Sequence, residues 1–384
     1  METYQQEIKN LKAKNLYRKL RVLEDHEGTK ASFEGREILL FCGNDYLGLS
    51  RHPRVVRAAQ KALKAYGAGA GAARLISGTT KAHIALEKRL AQIKGKESAL
   101  VFAAGFLANL GILTAFAGEQ DVIIMDKLCH ASLIDGAKLS KATLRVFPHK
   151  NYKKCEELLR GSQGARRRIL VTETVFSMDG DLADLKELVR LKEKYGALLV
   201  VDDAHGTGVL GEHGRGAAEA GNLSKKIDVI MGTLSKAVGG LGGFVTADRT
   251  LIDYLVNFAR PFIFATALPP ALCEAAREAL SMIEKEPLLR KKLWNNIHQV
   301  HQGLLGLGFS IRQPESAILP VMMGDEGKAM ETFEKLLLQG VFIPAVRYPT
   351  VPRGKARLRV TVSAAHTGRD IARLMKAFKK ALKT

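Results

Sequence analysis

The sequence predicts an α/β fold, with a mainly parallel seven-stranded sheet, helices on both of its faces and a smaller α+β domain. Two observations predict the sheet: seven short β-rich runs follow residue 98, and helical patterns alternate with them. Repeated βα units of this kind produce parallel strands that are covered on both sides. A third observation predicts the second domain, because a long helical region and then a mixed pattern follow Pro269 and Pro270.

The predicted strands are taken in chain order. They are SALVFAA (98–104), DVIIMD (121–126), TLRVFPH (143–149), RRILVTET (167–174), ALLVVDDAH (197–205), DVIMGTLSK (228–236) and GGFVTAD (242–248). The helix predicted over 181–195 shows the pattern between strands, with Asp181 placed to cap its start and Gly196 to end it. One apolar face of this helix carries Leu182, Leu185, Leu188 and Val189.

The uncharged stretch 99–118 is long enough to be considered as a membrane span. We predict instead a buried strand followed by a buried helix, because Phe106, Leu110, Leu113 and Phe116 recur at helical spacing after the β-rich half. No interaction with a membrane is therefore expected.

Three regions are predicted along the chain. Residues 1–44, a basic helix and a short strand, are expected to pack with the small domain, residues 45–270 form the large cofactor-binding domain, and residues 271–384 form the small α+β domain. The glycine run at 67–78 follows a helix and is interpreted as a loop that closes over the substrate.

Composition narrows the class of protein. The chain has 384 residues, of which 46% are hydrophobic, and its charged first residues lack a secretory signal. Four widely spaced cysteines without a CxxC pair argue against a zinc site or a disulfide framework, so no metal is expected and a cytoplasmic location is predicted. The formal charge of +20 comes without any nucleic-acid-binding motif, which favours a polyanionic small molecule over nucleic acid as the partner.

Polar and phosphate-binding residue types follow five of the predicted strands. Because ligands of open α/β sheets bind beyond the carboxyl ends of the strands, these residues are expected to meet at one edge. They are Gly105 and Phe106, His130, Ser177, Asp202 and His205, and Thr233 and Lys236.

A lysine amine, a carboxylate, imidazoles and a phosphate cradle together suit pyridoxal 5′-phosphate (PLP). Its aldehyde bonds to a lysine, its pyridine nitrogen needs an acidic partner, and its phosphate needs donors such as a helix N-terminus. Lys236 is the predicted lysine and Asp202 the predicted acidic partner, although the adjacent Asp203 is a rival for that role.

Several motifs together resemble those of the α-oxoamine synthases, which are fold-type I PLP enzymes that condense an amino acid with an acyl-CoA. The resemblance covers nearly the whole chain. The motifs are FCGNDYLGL, SGTTKAH, GFLAN, DKLCHASLIDGA, TETVFSMDGD, VVDDAHGTGVLGEHGRG, GTLSKAVGG, FIFATALPP and YPTVPRGKARLRVTVSAAHT.

The resemblance implies a role for each matching residue. Lys236 would carry the cofactor covalently and Asp202 would contact the pyridine nitrogen, while His205 would contact the ring hydroxyl. Cofactor contacts are also implied for His130 on the ring face and for Gly105, Phe106, Ser177 and Thr233. The family forms homodimers with shared active sites, so Thr266 is expected to reach the partner's phosphate. Substrate contacts are implied for Asn44 and Arg359 at the amino-acid carboxylate, with Arg357 facing the other side of the strand, and for Arg18 and Thr350 at the acyl portion.

Segments of the chain differ in which family members they resemble. FARPFIFATALPP and AVRYPTVPRG resemble members that join L-alanine to pimeloyl-CoA in biotin synthesis, whereas SAAHT and YPTVPRG also resemble the glycine-using glycine C-acetyltransferase and 5-aminolevulinate synthase.

Two alternatives from other classes remain. GTGVLG (206–211) is a literal GxGxxG after a strand, with Asp228 about 20 residues on, as in NAD-binding dehydrogenases. That motif requires a helix that begins at its glycines. Here the segment EHGRGAAEAG follows, and its glycines interrupt any helical pattern. A basic nucleic-acid-binding protein is the other alternative.

Overall fold

A computed structural model describes residues 1–382. The helices are α1 (Glu2–Ala13), α2 (Pro53–Tyr66), α3 (Lys81–Lys94), α4 (Gly105–Phe116), α5 (Ala131–Leu139), α6 (Tyr152–Arg160), α7 (Leu185–Tyr195), α8 (Ala217–Ala220), α9 (Arg249–Phe258), α10 (Arg260–Ile263), α11 (Pro270–Lys285), α12 (Pro287–Gly306), α13 (Glu326–Leu338) and α14 (Gly368–Ala381). The strands are β1 (Glu24–Glu27), β2 (Lys30–Phe33), β3 (Arg36–Leu40), β4 (Ser98–Phe102), β5 (Val122–Asp126), β6 (Thr143–Phe147), β7 (Arg168–Glu173), β8 (Leu198–Asp202), β9 (Val229–Thr233), β10 (Gly243–Ala247), β11 (Ile318–Gly324), β12 (Val341–Phe342), β13 (Ala345–Val346) and β14 (Ala356–Thr361).

The chain divides into two compact units, and the larger one comprises residues 49–177 and 181–290. Its sheet has seven strands in the order β4-β10-β9-β8-β7-β5-β6. Only β10 runs antiparallel to its neighbours. The connection from β9 to β10, residues 234–242, is too short for the crossover that a parallel neighbour requires. The predicted mainly parallel seven-stranded sheet is confirmed.

The uncharged stretch 99–118 forms the buried strand β4 and the helix α4, as predicted. Residues of both elements, among them Phe102 and Ile112, belong to the hydrophobic core beneath the sheet. Among residues 1–382, no helix is long and apolar enough to cross a membrane.

The helix predicted from residue 181 begins later, and the predicted cap is wrong. Asp184 caps α7 by accepting a hydrogen bond from the Glu187 backbone N–H at 3.1 Å. Asp181 instead accepts hydrogen bonds from His149 Nε2 at 3.0 Å and Lys150 Nζ at 3.1 Å. Gly196 ends the helix in a left-handed conformation, as predicted.

The smaller unit comprises residues 1–48, residues 178–180 and the chain from Lys291 on. Its sheets have the strand orders β1-β2-β3-β12 and β11-β14-β13. The amino-terminal region has three strands rather than the single strand predicted. A two-residue turn at Glu34 and Gly35, both with positive φ, joins β2 to β3 and matches the twist of paired strands.

The unit boundaries differ from the predicted domain boundaries at the carboxyl side. The helix α11 lies beyond the predicted boundary at residue 270 but packs on α2 and α3 and belongs to the larger unit. Its buried face, which includes Ala275, Ala279 and Ile283, is apolar and is covered within that unit. The three-region division therefore stays a prediction.

All four cysteines have free thiols. The cytoplasmic location predicted from their spacing stays a prediction.

Candidate functional site

A cavity of about 250 Å³ lies at the carboxyl edge of the seven-stranded sheet, within the larger unit. It brings together seven of the residues that the sequence singled out: Gly105, Phe106, His130, Asp202, His205, Thr233 and Lys236. The remaining lining residues are Ala104, Asn109, Ser132, Glu173, Ala204, Met231, Ser235 and Leu241.

Lys236 follows β9 and reaches the cavity at the end of that strand. Its side chain is half-buried, and Nζ lies 2.8 Å from His205 Nε2. Thr233, the last residue of β9, is anchored because its Oγ1 donates to the Gly242 carbonyl oxygen at 2.9 Å and lies 2.8 Å from Ser235 Oγ. The cavity thus holds a primary amine in contact with an imidazole.

Asp202 ends β8 and is buried in the cavity wall. Its Oδ2 accepts a hydrogen bond from Asn109 Nδ2 at 2.8 Å, and its Oδ1 accepts one from the Ala204 backbone N–H at 2.9 Å. Two donors, one on each oxygen, fix the orientation of this carboxylate.

Asp203 points away from the cavity and has a structural role. Its Oδ2 pairs with Lys94 Nζ at 2.7 Å, and both side chains are only 1% exposed. Thr174 Oγ1 donates to the other carboxylate oxygen at 2.7 Å, and Thr207 Oγ1 lies 3.0 Å from Oδ2. Of the two adjacent aspartates, only Asp202 lines the cavity.

His130 precedes α5, and its ring lies in the cavity wall. Nδ1 lies 2.8 Å from Ser132 Oγ, and the ring packs edge-on against Phe106 with a centroid separation of 6.3 Å. Burial lowers the pKa of His130; the Asp202 charge opposes this shift, and the Lys236 charge adds to it. The imidazole is therefore held neutral, as suits a ring that stacks on a flat ligand.

The helix α4 begins at Gly105 in the cavity wall. The first N–H groups of a helix have no partner within it, so this end provides donors for an anion. A Cβ atom at position 105 would lie 3.2 Å from both Thr233 Oγ1 and Met231 Cε, so the glycine leaves room at this point.

Sequence analysis missed four polar residues of the cavity: Asn109, Ser132, Glu173 and Ser235. Asn109 lies one helical turn after Gly105, and Glu173 is the last residue of β7, in register with Asp202 on β8. Both lie inside the quoted motifs GFLAN and TETVFSMDGD. A charged residue at the end of a buried strand was the available signal for Glu173.

Two predicted cofactor contacts do not line the cavity. Ser177 lies nearby, because its backbone N–H donates to Glu173 Oε2 at 3.3 Å. Thr266 is exposed and forms an isolated β-bridge with Ala73.

The four predicted substrate residues lie in the smaller unit and form two pairs. Arg359 Nη1 donates to Asn44 Oδ1 at 3.3 Å, and Arg18 Nη2 donates to Thr350 Oγ1 at 3.3 Å. Arg357 pairs instead with Asp179 at 2.7 Å and is 4% exposed, so its guanidinium is already engaged.

The two glycine-rich segments have structural explanations. No helix opens on GTGVLG, whose residues form turns, and Asp228 binds Lys192 Nζ and the Leu199 backbone N–H. In the other segment, a π-helical turn covers Arg74–Gly78, and the Arg74 guanidinium forms a buried bidentate pair with Glu87 at 2.8 and 3.0 Å. The second half of 67–78 is thus anchored in the larger unit.

Known proteins resemble this chain along nearly its whole length. The family described as aminotransferase class I and II matches residues 36–378. The chain is 46% identical over 380 residues to the 8-amino-7-oxononanoate synthase of Geotalea daltonii, a match that covers 98% of this chain and 97% of the relative.

Two solved structures extend the comparison. A serine palmitoyltransferase from S. paucimobilis with a bound PLP-myriocin aldimine has a TM-score of 0.93 and 32% identity, covering 99% of this chain and 97% of its own. The 8-amino-7-oxononanoate synthase of Francisella tularensis has a TM-score of 0.78 and 30% identity, covering 90% of this chain and 98% of its own. The chain therefore belongs to the α-oxoamine synthases within the aminotransferase class I and II family, as its motifs predicted.

Proposed function

We propose that the chain is a PLP-dependent acyltransferase that condenses L-alanine with pimeloyl-CoA to give 8-amino-7-oxononanoate, carbon dioxide and free CoA. The 46% identity to an 8-amino-7-oxononanoate synthase over 380 residues carries this proposal. The cavity supports it, because the amine of Lys236 and the carboxylate of Asp202 lie in its wall.

The donor set of the cavity fits PLP. Lys236 supplies the amine for the aldehyde, Asp202 the carboxylate for the pyridine nitrogen, and His130 a ring face for stacking. The N-terminus of α4 and the Thr233 hydroxyl supply donors for the phosphate. When bound, PLP supplies an electron sink that stabilises negative charge at the α-carbon of an amino acid.

The residues that would surround bound PLP have different roles in the reaction. We assign to Lys236 the removal of the α-proton of the amino acid, since its amine is the strong base that reaches into the cavity. His205, 2.8 Å from the Lys236 amine, orients that amine. Asp202, held by Asn109 and the Ala204 N–H, would face the pyridine nitrogen of bound PLP and favour its protonated form.

We assign the substrate carboxylate to Arg359 and Asn44, and the far end of the acyl chain to Arg18 and Thr350. The 3.3 Å contact within each pair supports these assignments. An arginine suits a carboxylate because its planar guanidinium donates two parallel hydrogen bonds. Arg357 is a poorer candidate, since its guanidinium already pairs with Asp179.

L-Alanine with pimeloyl-CoA is expected to be the best substrate pair. A pocket for one methyl group favours alanine over glycine by about 10- to 200-fold, and an acyl chain without its terminal carboxylate loses its charge-assisted hydrogen bonds to Arg18. The measurement is kcat/KM from CoA release across a matrix of alanine, glycine and serine with pimeloyl-, acetyl-, succinyl- and palmitoyl-CoA.

The preferred substrate pair distinguishes between the activities of the related enzymes. A tenfold preference for glycine with acetyl- or succinyl-CoA would replace the proposed substrates by those of the glycine-using members. A preference for serine with palmitoyl-CoA would assign the activity named for the S. paucimobilis structure instead. Absence of CoA release from every pair, in protein that binds PLP, would refute the acyltransferase itself.

We further propose a homodimer in which Thr266 binds the cofactor phosphate of the partner subunit. The exposure of Thr266, outside the cavity of its own unit, supports this role. Exposed apolar side chains on the larger unit, such as Phe264 at 68% and Ile76 at 81%, support burial against a second copy.

The variant Thr266→Val keeps the shape of the side chain and removes its hydroxyl. Because a hydrogen bond to a charged group contributes about 1.5–3 kcal/mol, we expect the Kd for PLP to rise about 10- to 150-fold while the dimer persists. Absorbance titration measures the Kd, and sedimentation velocity measures the assembly. Thr250→Val, at an exposed threonine of the same unit, is the matched control. A wild-type monomer at assay concentration, or an unchanged Kd, would contradict the shared site.

A further inference from the structure

Glu173 is a second buried carboxyl group in the cavity wall, and no task is yet assigned to it. It is 2% exposed at the end of β7. Its Oε2 accepts one hydrogen bond, at 3.3 Å from the Ser177 backbone N–H. Its Oε1 is buried and has no hydrogen-bond partner among residues 1–382. Unpaired buried polar atoms are rare and costly, so this atom needs an explanation.

Asp202 is the other carboxyl group in the cavity wall, and either it or Glu173 could be the ionised one. The two residues are register partners on the adjacent parallel strands β7 and β8, and both line the cavity. Two carboxylates that share one site do not both ionise readily. Asp202 has donors on both oxygens, from Asn109 and the Ala204 N–H, whereas Glu173 has one long hydrogen bond. The charge is therefore better stabilised on Asp202.

The other titratable groups around Glu173 do not reverse this preference. Burial raises the pKa of Glu173 well above its usual range and the charge of Asp202 raises it further, while the charge of Lys236 and the backbone N–H groups of Ser177 and His130 oppose this shift. On the β5 side, Cys129 is buried and burial raises its pKa too, so it stays a neutral thiol. Asp126 adds negative charge but pairs with His149. The His130 ring, whose pKa burial lowers, adds no compensating positive charge.

We propose that Glu173 is held as a neutral carboxylic acid, with the proton on the otherwise unpaired Oε1, and that this O–H donates a hydrogen bond to an oxygen of the ligand bound in the cavity. The ligand part of the proposal rests on the proposed function: the acceptor is an oxygen of PLP or of the amino acid. A neutral donor beside Asp202 leaves that aspartate as the single carboxylate charge available to the pyridine nitrogen.

The variant Glu173→Gln tests the protonation state, because glutamine has the shape of the neutral acid and cannot ionise. A carboxyl group whose pKa is raised by folding stabilises the folded chain below the unfolded pKa of about 4.3, and this contribution is lost as pH rises. We therefore expect Glu173→Gln to unfold at a higher urea concentration than the wild type at pH 8. The difference between the urea midpoints of the variant and the wild type should shrink steadily as pH falls to 5. Urea unfolding of the full-length chain, followed by circular dichroism, measures it.

Glu87→Gln is the matched control for this experiment. Glu87 is also buried but forms a bidentate pair with Arg74. The glutamine variant leaves the buried Arg74 guanidinium without its charged partner, so it is expected to unfold at a lower urea concentration than the wild type at pH 8. If Glu173→Gln behaves like Glu87→Gln, Glu173 is ionised and the proposal is overturned.

A second pair of variants tests the donor. Glutamine retains an N–H donor at this position, whereas Glu173→Met has a similar length and none. Absorbance titrations with PLP, and then with L-alanine on the PLP-loaded chain, are expected to give Kd values for the glutamine variant within about threefold of the wild type. The methionine variant should lose about tenfold or more at one step.

The titration in which the methionine variant binds more weakly identifies the ligand that accepts the hydrogen bond from Glu173. Weaker binding of PLP itself places the acceptor on the cofactor, and weaker binding of alanine alone places it on the amino acid. Equal Kd values for the glutamine and methionine variants at both steps would overturn the donor role. If the wild type binds no PLP, the proposed function fails, and the urea experiment still decides the protonation state of Glu173.

Discussion

Replacing Lys236 by alanine is expected to abolish covalent attachment of PLP and to lower kcat by at least about 10²- to 10⁴-fold, the usual contribution of a positioned general base. The physical reason is that the Lys236 amine reaches the cavity and touches His205 at 2.8 Å. Removing the side chain deletes both the attachment point and the base. Stability should change little, because the side chain is only half-buried.

Borohydride reduction followed by peptide mass mapping measures the attachment site directly. The wild type is expected to carry one pyridoxyl group, on the peptide that contains Lys236, and the alanine variant none. Lys225→Ala, at an exposed lysine of the same unit, serves as the matched control and should label like the wild type. A pyridoxyl group on another lysine of the wild type would refute the assignment.

Replacing Asp202 by asparagine is expected to leave the chain folded and to remove most of its turnover. An opposite charge about 4 Å from the pyridine nitrogen is worth about 4 kcal/mol at an effective dielectric of 20, or about three pKa units. Without that charge the ring loses its proton near neutral pH and no longer withdraws electrons well. The measurement is exchange of the alanine α-proton in deuterated water, followed by NMR, together with kcat.

Asp203→Asn is the matched control for this prediction, since the two aspartates are adjacent and both buried. Asp203 pairs with Lys94, and removing one partner of a buried ion pair costs about 3–5 kcal/mol. This variant should therefore lose stability in urea, whereas Asp202→Asn should lose α-proton exchange. Near-normal exchange in Asp202→Asn would show that the pyridine nitrogen does not depend on this carboxylate.

The alternation of β-rich runs and helical patterns was sufficient to predict the fold class and the sheet edge where the cavity lies. Side chains that follow parallel strands necessarily meet at one edge, so Asp202, His205 and Lys236 could be grouped from the sequence although they are far apart along it. The helix start at residue 181 could not be placed as well. Asp181 and Asp184 are equally good caps by residue type, and the contacts of Asp181 with His149 and Lys150 decided between them.

By itself, the sequence determined the family, the α/β fold and the strand ends that line the cavity, because local periodicity and motifs encode them. Only the tertiary structure showed that Asp202 lines the cavity and that Asp203 pairs elsewhere. The deciding partner of Asp203 is Lys94, 109 residues earlier in the chain, and the donor to Asp202 is Asn109, 93 residues earlier. The tertiary structure also revealed the unpaired oxygen of Glu173, since the hydrogen bonding and burial of one atom depend on every element packed around it. Such long-range contacts have no local pattern in the sequence from which they could be predicted.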